Sequence, residues 1–420
     1  MITLIEALRF RCLRDVRQPL GPFRVLVGPN GSGKSTFLSV VSFLGRLVAD
    51  GPEAAVEEQS TRFQDLTWGR DGLSFELAVE ASIPRERRSG KDTDRSEVIR
   101  YEIALGVDDA DGAPSLMAER VLLKPATESD EQMPIEFPRE SHPIRESLLT
   151  QKGVRRSRTI VSKARGGNDT FRPESSNGSG KRWAPSFRLG PMKSALGNLP
   201  EDESAFPAST WLKRLLIDGV QPVVLNSLLI RRASPPGRSR GFQADGSNLP
   251  WLVAELERSD PERLEEWIAH LRTALPDLEA VRTREREDDR HRYLVLRYSK
   301  GPEIPSWLVS EGTLRLLALT LPAYLRELTG ILLIEEPENG IHPRAVSAAL
   351  QSLSSVYRAQ ILVATHSPVV LSIVDPGDVL CFARTPSSGT DIVGGSSHPA
   401  LRDWRGETDL GTLFAGGVLG

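Results

Sequence analysis

The 420-residue chain is 39% hydrophobic and 26% charged, as expected of an ordinary soluble protein, and its formal net charge of -3 gives no overall attraction for nucleic acid. At roughly 100–200 residues per domain, the length allows two or three domains, or one large domain with an insertion. Two cysteines, Cys12 and Cys381, are too few for a disulfide framework or a zinc cluster; no run of about 18 apolar residues occurs, and the opening Met-Ile-Thr-Leu-Ile-Glu has no signal-peptide pattern, so a cytoplasmic location without membrane contact is expected.

In chain order, residues 2–8 and 23–27 are apolar and β-rich, split by the turn material of Pro19, Leu20, Gly21 and Pro22. A helix is expected over residues 34–50, with Phe37, Leu38, Val41, Leu44 and Val48 on its apolar face. Strands are expected at 73–81, 97–106 and 118–123. From about 127 to 207 the chain is rich in Pro, Gly, Ser and charge, and its centre, 163–181, is expected to form a mobile loop. A second such stretch covers 231–247. Residues 209–218 and 249–275 read as helices, and 291–298 alternates like a strand. Residues 311–328 read as a helix broken at Pro322, 331–334 as a buried parallel strand, 344–357 as a helix and 360–365 as a second buried strand. No internal repeat and no long heptad run occurs, so no extended coiled coil is expected. The division read from this pattern is 1–125, 126–289 and 290–420, the middle part being an insertion.

Gly28-Pro-Asn30-Gly31-Ser32-Gly33-Lys34-Ser35-Thr36 fits the P-loop pattern, with an apolar strand before it and a helix after it. Glycines let the backbone wrap a phosphate, and the helix N-terminus adds free N–H groups. Residues 30–36 are therefore candidate ATP-binding residues, with Lys34 neutralising phosphate oxygens and Ser35 placing its hydroxyl on Mg²⁺. Residues 331–334 then deliver Glu335 and Glu336 to the carboxyl end of a strand, where ligands bind in open α/β sheets. Glu335 is the candidate magnesium ligand and Glu336 the candidate general base for an attacking water.

These elements, with four further pieces in order, resemble the RecF/SMC-like and OLD-like AAA ATPases. Leu308-Val-Ser310-Glu311-Gly312-Thr313 resembles the signature motif of ABC-type ATPases, although Glu311 departs from the Leu-Ser-Gly-Gly-Gln of transporter subunits. The run from Glu335 to Pro343 is similar to their Walker B and D-loop, Thr365-His366-Ser367-Pro368 to their switch histidine, and residues 2–10 to their first strand. The resemblance covers about residues 1–106 and 290–385. It implies an α/β, ABC-type P-loop ATPase head assembled from both chain ends, with an α-helical and loop insertion (a lid or short arm) in the middle. It also implies that Ser310 and Gly312 grip the γ-phosphate bound by a second copy, and that His366 reports on that phosphate. A helix N-terminus at Ser310 suits phosphate physically, and an ordinary N-cap is compatible with that role. Gln64 is the candidate Q-loop contact to metal or water, with a solvated residue as the alternative. Asn339 and His342 are either contacts across a dimer or parts of a capped turn into the Pro343 helix.

The implied protein is a cytoplasmic ATPase that uses ATP and Mg²⁺ and closes as a homodimer or higher homo-oligomer. It would act as a switch in DNA-linked processes, foremost anti-phage defence, beside a separate nuclease-like effector, since the residues after 373 show no nuclease pattern. The alternatives are a DNA repair ATPase that binds DNA directly and, less favoured, a transporter subunit. Arg155, Arg156, Arg158, Lys163 and Arg165, and Arg231, Arg232, Arg238 and Arg240, are either phosphate contacts or solvated loops. The apolar tail, residues 408–420, either docks a partner or packs on the chain's own core.

Overall fold

The computed structural model describes residues 1–88, 96–108, 112–126, 136–140, 143–151, 157–174, 184–237, 241–299, 301–385, 389–401 and 409–419. The chain opens with β1 (Ile2–Phe10), β2 (Leu13–Pro19) and β3 (Phe23–Val27), then forms α1 (Lys34–Asp50) and the short α2 (Pro52–Glu57). Three long strands follow, β4 (Ser74–Ser82), β5 (Val98–Gly106) and β6 (Ser115–Lys124), and then β7 (Arg158–Ala164), β8 (Asp169–Phe171) and β9 (Ser186–Phe187). Next come α3 (Pro207–Ile217), β10 (Val220–Val223), α4 (Ser227–Arg231), α5 (Leu249–Ser259), α6 (Pro261–Arg272), β11 (Leu278–Glu285), β12 (Arg292–Tyr298) and β13 (Glu303–Pro305). The final third contains α7 (Glu311–Thr320), β14 (Gly330–Glu335), α8 (Pro343–Ser354), β15 (Ala359–Thr365), α9 (Pro368–Leu371), β16 (Val379–Thr385), β17 (Gly389–Gly394) and α10 (Leu410–Ala415).

The strands make three sheets. The central one has the order β10-β14-β15-β3-β16-β17, parallel throughout except for the β16–β17 pair. The second is antiparallel, in the order β2-β1-β4-β5-β6-β7-β8-β9, and β11-β12-β13 form the third. Both faces of the central sheet are covered, which is why its strands read as continuous apolar runs. Ile331, Leu333, Leu362 and Leu26 join one core with α1 and the inner face of the antiparallel sheet. Their neighbours Leu332, Ile334, Val363 and Val25 join a second core with α5 to α8 and β11–β12. Helix α1 is thus clamped between two sheets. It buries Val40, Phe43 and Leu47 as well as the five residues of the expected apolar face.

Several expectations are corrected. Part of the segment 163–181 is strand, because Lys163 is held inside by Asp169 and the carbonyl of Gly190, both at 2.8 Å, and Ile160, Val161 and Phe171 enter the core. Residues 175–181 lie outside the described residues. The helix expected over 311–328 stops at Thr320 and passes into a 3-10 turn, Leu321–Tyr324, where Pro322 has no N–H to continue the ladder. Helix α8 ends at Ser354, short of the expected 357. Strands β7 to β10 come from residues expected in the insertion, yet they pair into the two large sheets. Of the two readings of the tail, its described residues follow the packing one: α10 lies against α9, and Leu410 and Leu419 are buried.

A strap, residues 143–151, crosses the outer face of the antiparallel sheet and is tied there by charge. Arg100, only 7% exposed, reaches Glu6 (2.5 Å), Glu102 (2.8 Å) and Glu80 (3.0 Å). It also donates to the carbonyl of Leu148 at 2.9 Å. Arg145 pairs with Glu6 and Asp15, Leu148 N and Ser147 Oγ donate to Glu76, and Thr150 donates to Glu102. Burial alone would raise the Glu6 pKa, but Arg100 and Arg145 hold it at about 2. For Arg100, burial alone would lower the pKa; Glu6 and Glu102 raise it instead.

Arg100→Met should cost about 3–5 kcal/mol in denaturant unfolding, because it strands buried carboxylates without a partner. Because the folded pKa of Glu6 lies below its ordinary 4.5, its contribution is present at neutral pH and is lost as pH falls through about 2. A Glu6→Gln variant should therefore show a shallower acid limb in a stability-versus-pH curve, and an unchanged limb would contradict the network's role.

Candidate functional site

The register of the central sheet assembles the site. Val27 of β3 lies opposite Thr365 of β15, and Glu335 of β14 lies opposite Ala364. Gly28, Glu335, Glu336 and His366 therefore emerge at one edge, the carboxyl ends of parallel strands.

In the P-loop, Gly31 and Gly33 have φ of 77° and 107°, conformations that favour glycine. Gly33 is the N-cap of α1 and supplies no side-chain cap, so the first-turn amides of this 17-residue helix are left for a ligand. Asn30, Gly31 and Ser35 are exposed, Thr36 is half-buried, and Ser32 and Lys34 are buried. The Ser32 hydroxyl makes no hydrogen bond among the described residues. The Lys34 ammonium donates to the carbonyls of Gly28 (2.7 Å) and Pro29 (3.2 Å), which keeps it inside the loop. Burial lowers its pKa, and Glu336 and Glu335 partly oppose that. An uncapped helix start, a buried lysine and a free buried hydroxyl around one loop fit an anionic phosphate chain.

Ser35 Oγ donates to Glu335 Oε2 at 2.5 Å. A hydroxyl and a carboxylate this close suit Mg²⁺, a hard cation that takes oxygen ligands, so Ser35 and Glu335 fit as its candidate holders. Gln64, the third candidate for that role, is not solvated: it is buried in the 3-10 turn Phe63–Leu66, where its carbonyl accepts from Thr67 Oγ1 at 2.8 Å.

Glu336 lies just past the strand with φ at 51°, an uncommon conformation for a non-glycine residue and one that marks functional turns. Its backbone N–H donates to Ala364 O at 2.8 Å and its carbonyl accepts from Asn339 N at 3.0 Å, which fixes the turn. Its carboxylate meets His366 Nδ1 at 2.7 Å. The base candidate and the switch-histidine candidate are thus in direct contact. Two partners had no role assigned in the sequence reading. Glu338, whose pKa burial raises, accepts from Thr365 Oγ1 at 2.5 Å, and that oxygen accepts from Ser367 N at 2.9 Å. This chain ties the D-loop to the His366 turn. Glu338 lies inside the motif run, and its alternation with Glu336 was the available signal.

Ser310 and Gly312 are not drawn into this cluster by any hydrogen bond among the described residues. Ser310 is the N-cap of α7, accepting from Thr313 N at 3.2 Å, and is exposed. Gly312 packs on the D-loop: a Cβ there would lie 2.8 Å from Gly340 O. Arg315 donates to Asn339 O at 3.2 Å. His342 caps α8, its Nδ1 accepting from Arg344 N at 3.2 Å, as the capped-turn alternative required.

Three of the basic candidates have their side chains engaged within the chain. Lys163 is buried in its Asp169 pair, Arg165 pairs with Asp108, and Arg158 donates to Glu174 O. Arg155, Arg156, Arg238 and Arg240 lie outside the described residues. The carbonyl of Arg231 accepts from Ser306 Oγ at 2.9 Å, and the backbone N–H of Arg232 donates to Leu229 O at 3.1 Å.

Residues 23–372 match the family described as "AAA domain, putative AbiEii toxin, Type IV TA system". The chain belongs to this family of AAA ATPase domains. Among curated proteins, an OLD nuclease of Thermus scotoductus (strain ATCC 700910 / SA-01) is 43% identical over 44 residues, which is 10% of this chain and only 8% of that protein. Among solved structures, an SmcHead bound to the C-winged helix domain of ScpA superposes with a TM-score of 0.53 at 13% identity, covering 93% of this chain and 96% of that one. The chain therefore has the fold of an SMC-type ATPase head. No helix of the described residues is long and apolar enough to cross a membrane.

Lys34→Ala should weaken binding of magnesium–ATP by at least about tenfold in calorimetry, since it removes the charge-assisted contact to phosphate. Unchanged affinity would contradict the P-loop assignment.

Proposed function

We propose that this chain is a magnesium-dependent ATPase that closes as two copies around ATP and acts as a conformational switch for a separate effector, in anti-phage defence. The observation that carries the reading is the split of the site. Residues 28–36, Glu335, Glu336 and His366 converge at one sheet edge, whereas the exposed N-terminus of α7 packs on the D-loop through Gly312 and accepts from Ser227 Oγ of α4 through Glu311 at 3.0 Å. A signature helix left outside its own nucleotide site is suited to completing a neighbour's.

In this reading, the first-turn amides of α1 and Lys34 bind the phosphates, and Ser35 and Glu335 hold Mg²⁺, which would neutralise charge on them. Glu336 accepts a proton from the attacking water. His366 leaves its Glu336 contact to donate to the γ-phosphate. Ser310 and the N-terminal amides of α7 from the second copy face the same phosphate and favour its charge. Loss of that phosphate removes the bridge between copies and opens the pair. The D-loop links the two functions, because it carries Glu336 at one end and packs on Gly312 at the other. We assign the α5–α6 layer and the β11–β12–β13 sheet the part of a lid or arm that conveys opening outward.

The setting rests on the comparisons. The solved SMC head was captured with a domain of another protein, ScpA, and the curated relative is a nuclease. Both support a head that works with an effector, here on a separate nuclease-like chain in the cytoplasm. Direct DNA binding has less support, since Lys163, Arg158 and Arg165 are engaged internally.

Glu336→Gln should keep ATP binding, slow hydrolysis by roughly 10²–10⁴-fold and accumulate ATP-dependent dimers in light scattering. Hydrolysis at the wild-type rate would overturn the base assignment.

A further inference from the structure

Strand β17 is the last strand of the central sheet, paired among the described residues to β16, and one of its residues reaches back to the P-loop. Thr390 is 1% exposed. Its hydroxyl donates to the carbonyl of Ser32 at 2.8 Å, and its own N–H donates to the carbonyl of Cys12 at 3.0 Å. The approach is close enough that a Cβ at Gly33 would lie 2.3 Å from Thr390 Oγ1. The third glycine of the loop is therefore required by Thr390 as well as by its own φ.

We propose that Thr390 is a positioning residue for the nucleotide, acting by orienting the P-loop backbone. The carbonyl of Ser32 and the N–H of Gly33 belong to one planar trans peptide and point in opposite directions. Holding that carbonyl outward against Thr390 aims the Gly33 N–H inward, toward the space that the loop encloses. Without the hydroxyl, the Ser32 carbonyl is left buried and unpaired, and the peptide gains from rotating to find another donor. The strand is fixed from its other side. Asp391, the next residue, points oppositely along the strand and is 2% exposed. It accepts from Arg139 N at 2.8 Å and from Arg139 Nε at 3.1 Å. Arg139 lies six positions before Arg145, which is pinned to Asp15 of β2. Thr390 is thus held between the strap side of the molecule and the phosphate loop.

The proposal rests on nucleotide binding at the P-loop, and a control separates the two. Magnesium with a slowly hydrolysed ATP analogue is titrated calorimetrically into wild type, Thr390→Val, Thr390→Ser and Lys34→Ala, and steady-state ATPase is measured in parallel. Thr390→Val should weaken binding about five- to tenfold, the loss of one buried hydrogen bond, and should raise KM more than it lowers kcat. Thr390→Ser, which keeps the hydroxyl, should bind like wild type. If Thr390→Val unfolds, Thr390→Ala carries the same expectation. Wild-type affinity in the hydroxyl-less variant, beside weak binding by Lys34→Ala, overturns the positioning role alone. A Thr390→Ser variant as weak as Thr390→Val also overturns it, because size rather than the hydroxyl would then matter. Wild-type affinity in Lys34→Ala overturns the nucleotide reading itself.

Discussion

The structure depends on one constraint: the parallel register of β14, β15 and β3, buried on both faces. A slip of a single residue in any of these strands would turn its core residues to the opposite face, so packing fixes the register tightly. With the register fixed, Gly28, Glu335, Glu336 and His366 have to emerge together at one edge. The chemistry of the site follows from hydrophobic packing several residues away. The polar residues add local geometry: the φ of Glu336, its contact with His366 and the Glu338–Thr365 bond.

A second consequence concerns rigidity. Helix α1 starts at the phosphate loop and runs between two sheets, so whatever seats the loop is backed by the largest core of the molecule. On the outer face of the antiparallel sheet, the Arg100 network fastens the strap over β1, β4 and β5. On the central sheet, Asp391 and Thr390 hold β17 between Arg139 and the P-loop. The one element of the site without such backing from the nucleotide-binding edge is the N-terminus of α7. Its serine is exposed and its Gly312 packs on the D-loop, which is what the proposed role toward a second copy requires.

Much of this was legible in the sequence. The P-loop, the two carboxylates after an apolar run, and the helix and strands flanking them are local patterns whose spacing reflects local geometry. The helix expected over 34–50 and the strands near 331–334 and 360–365 are present with nearly those limits. What sequence reasoning missed depended on contacts far apart in the chain. Lys163 read as either a phosphate contact or part of a solvated loop, because its partners, Asp169 and Gly190 O, become visible only once β7 and β8 pair. Val40, Phe43 and Leu47 were not named on the apolar face of α1, since a single helix pattern does not reveal a second sheet behind it. Thr390 is separated from Ser32 by 358 positions and belongs to no motif, so only the fold brings the two together.

The central claim is that two chains share each ATP site, and mixing two inactive variants tests it most directly. Lys34→Ala retains an intact signature but loses the P-loop lysine, while Ser310→Arg retains the P-loop and blocks the signature. If the signature works across copies, each mixed dimer holds one complete site. ATP hydrolysis should then reappear on mixing, at up to about a quarter of the wild-type rate for a two-fold dimer with freely exchanging subunits. If the mixture stays as inactive as its components although the subunits exchange, the shared-site account is wrong.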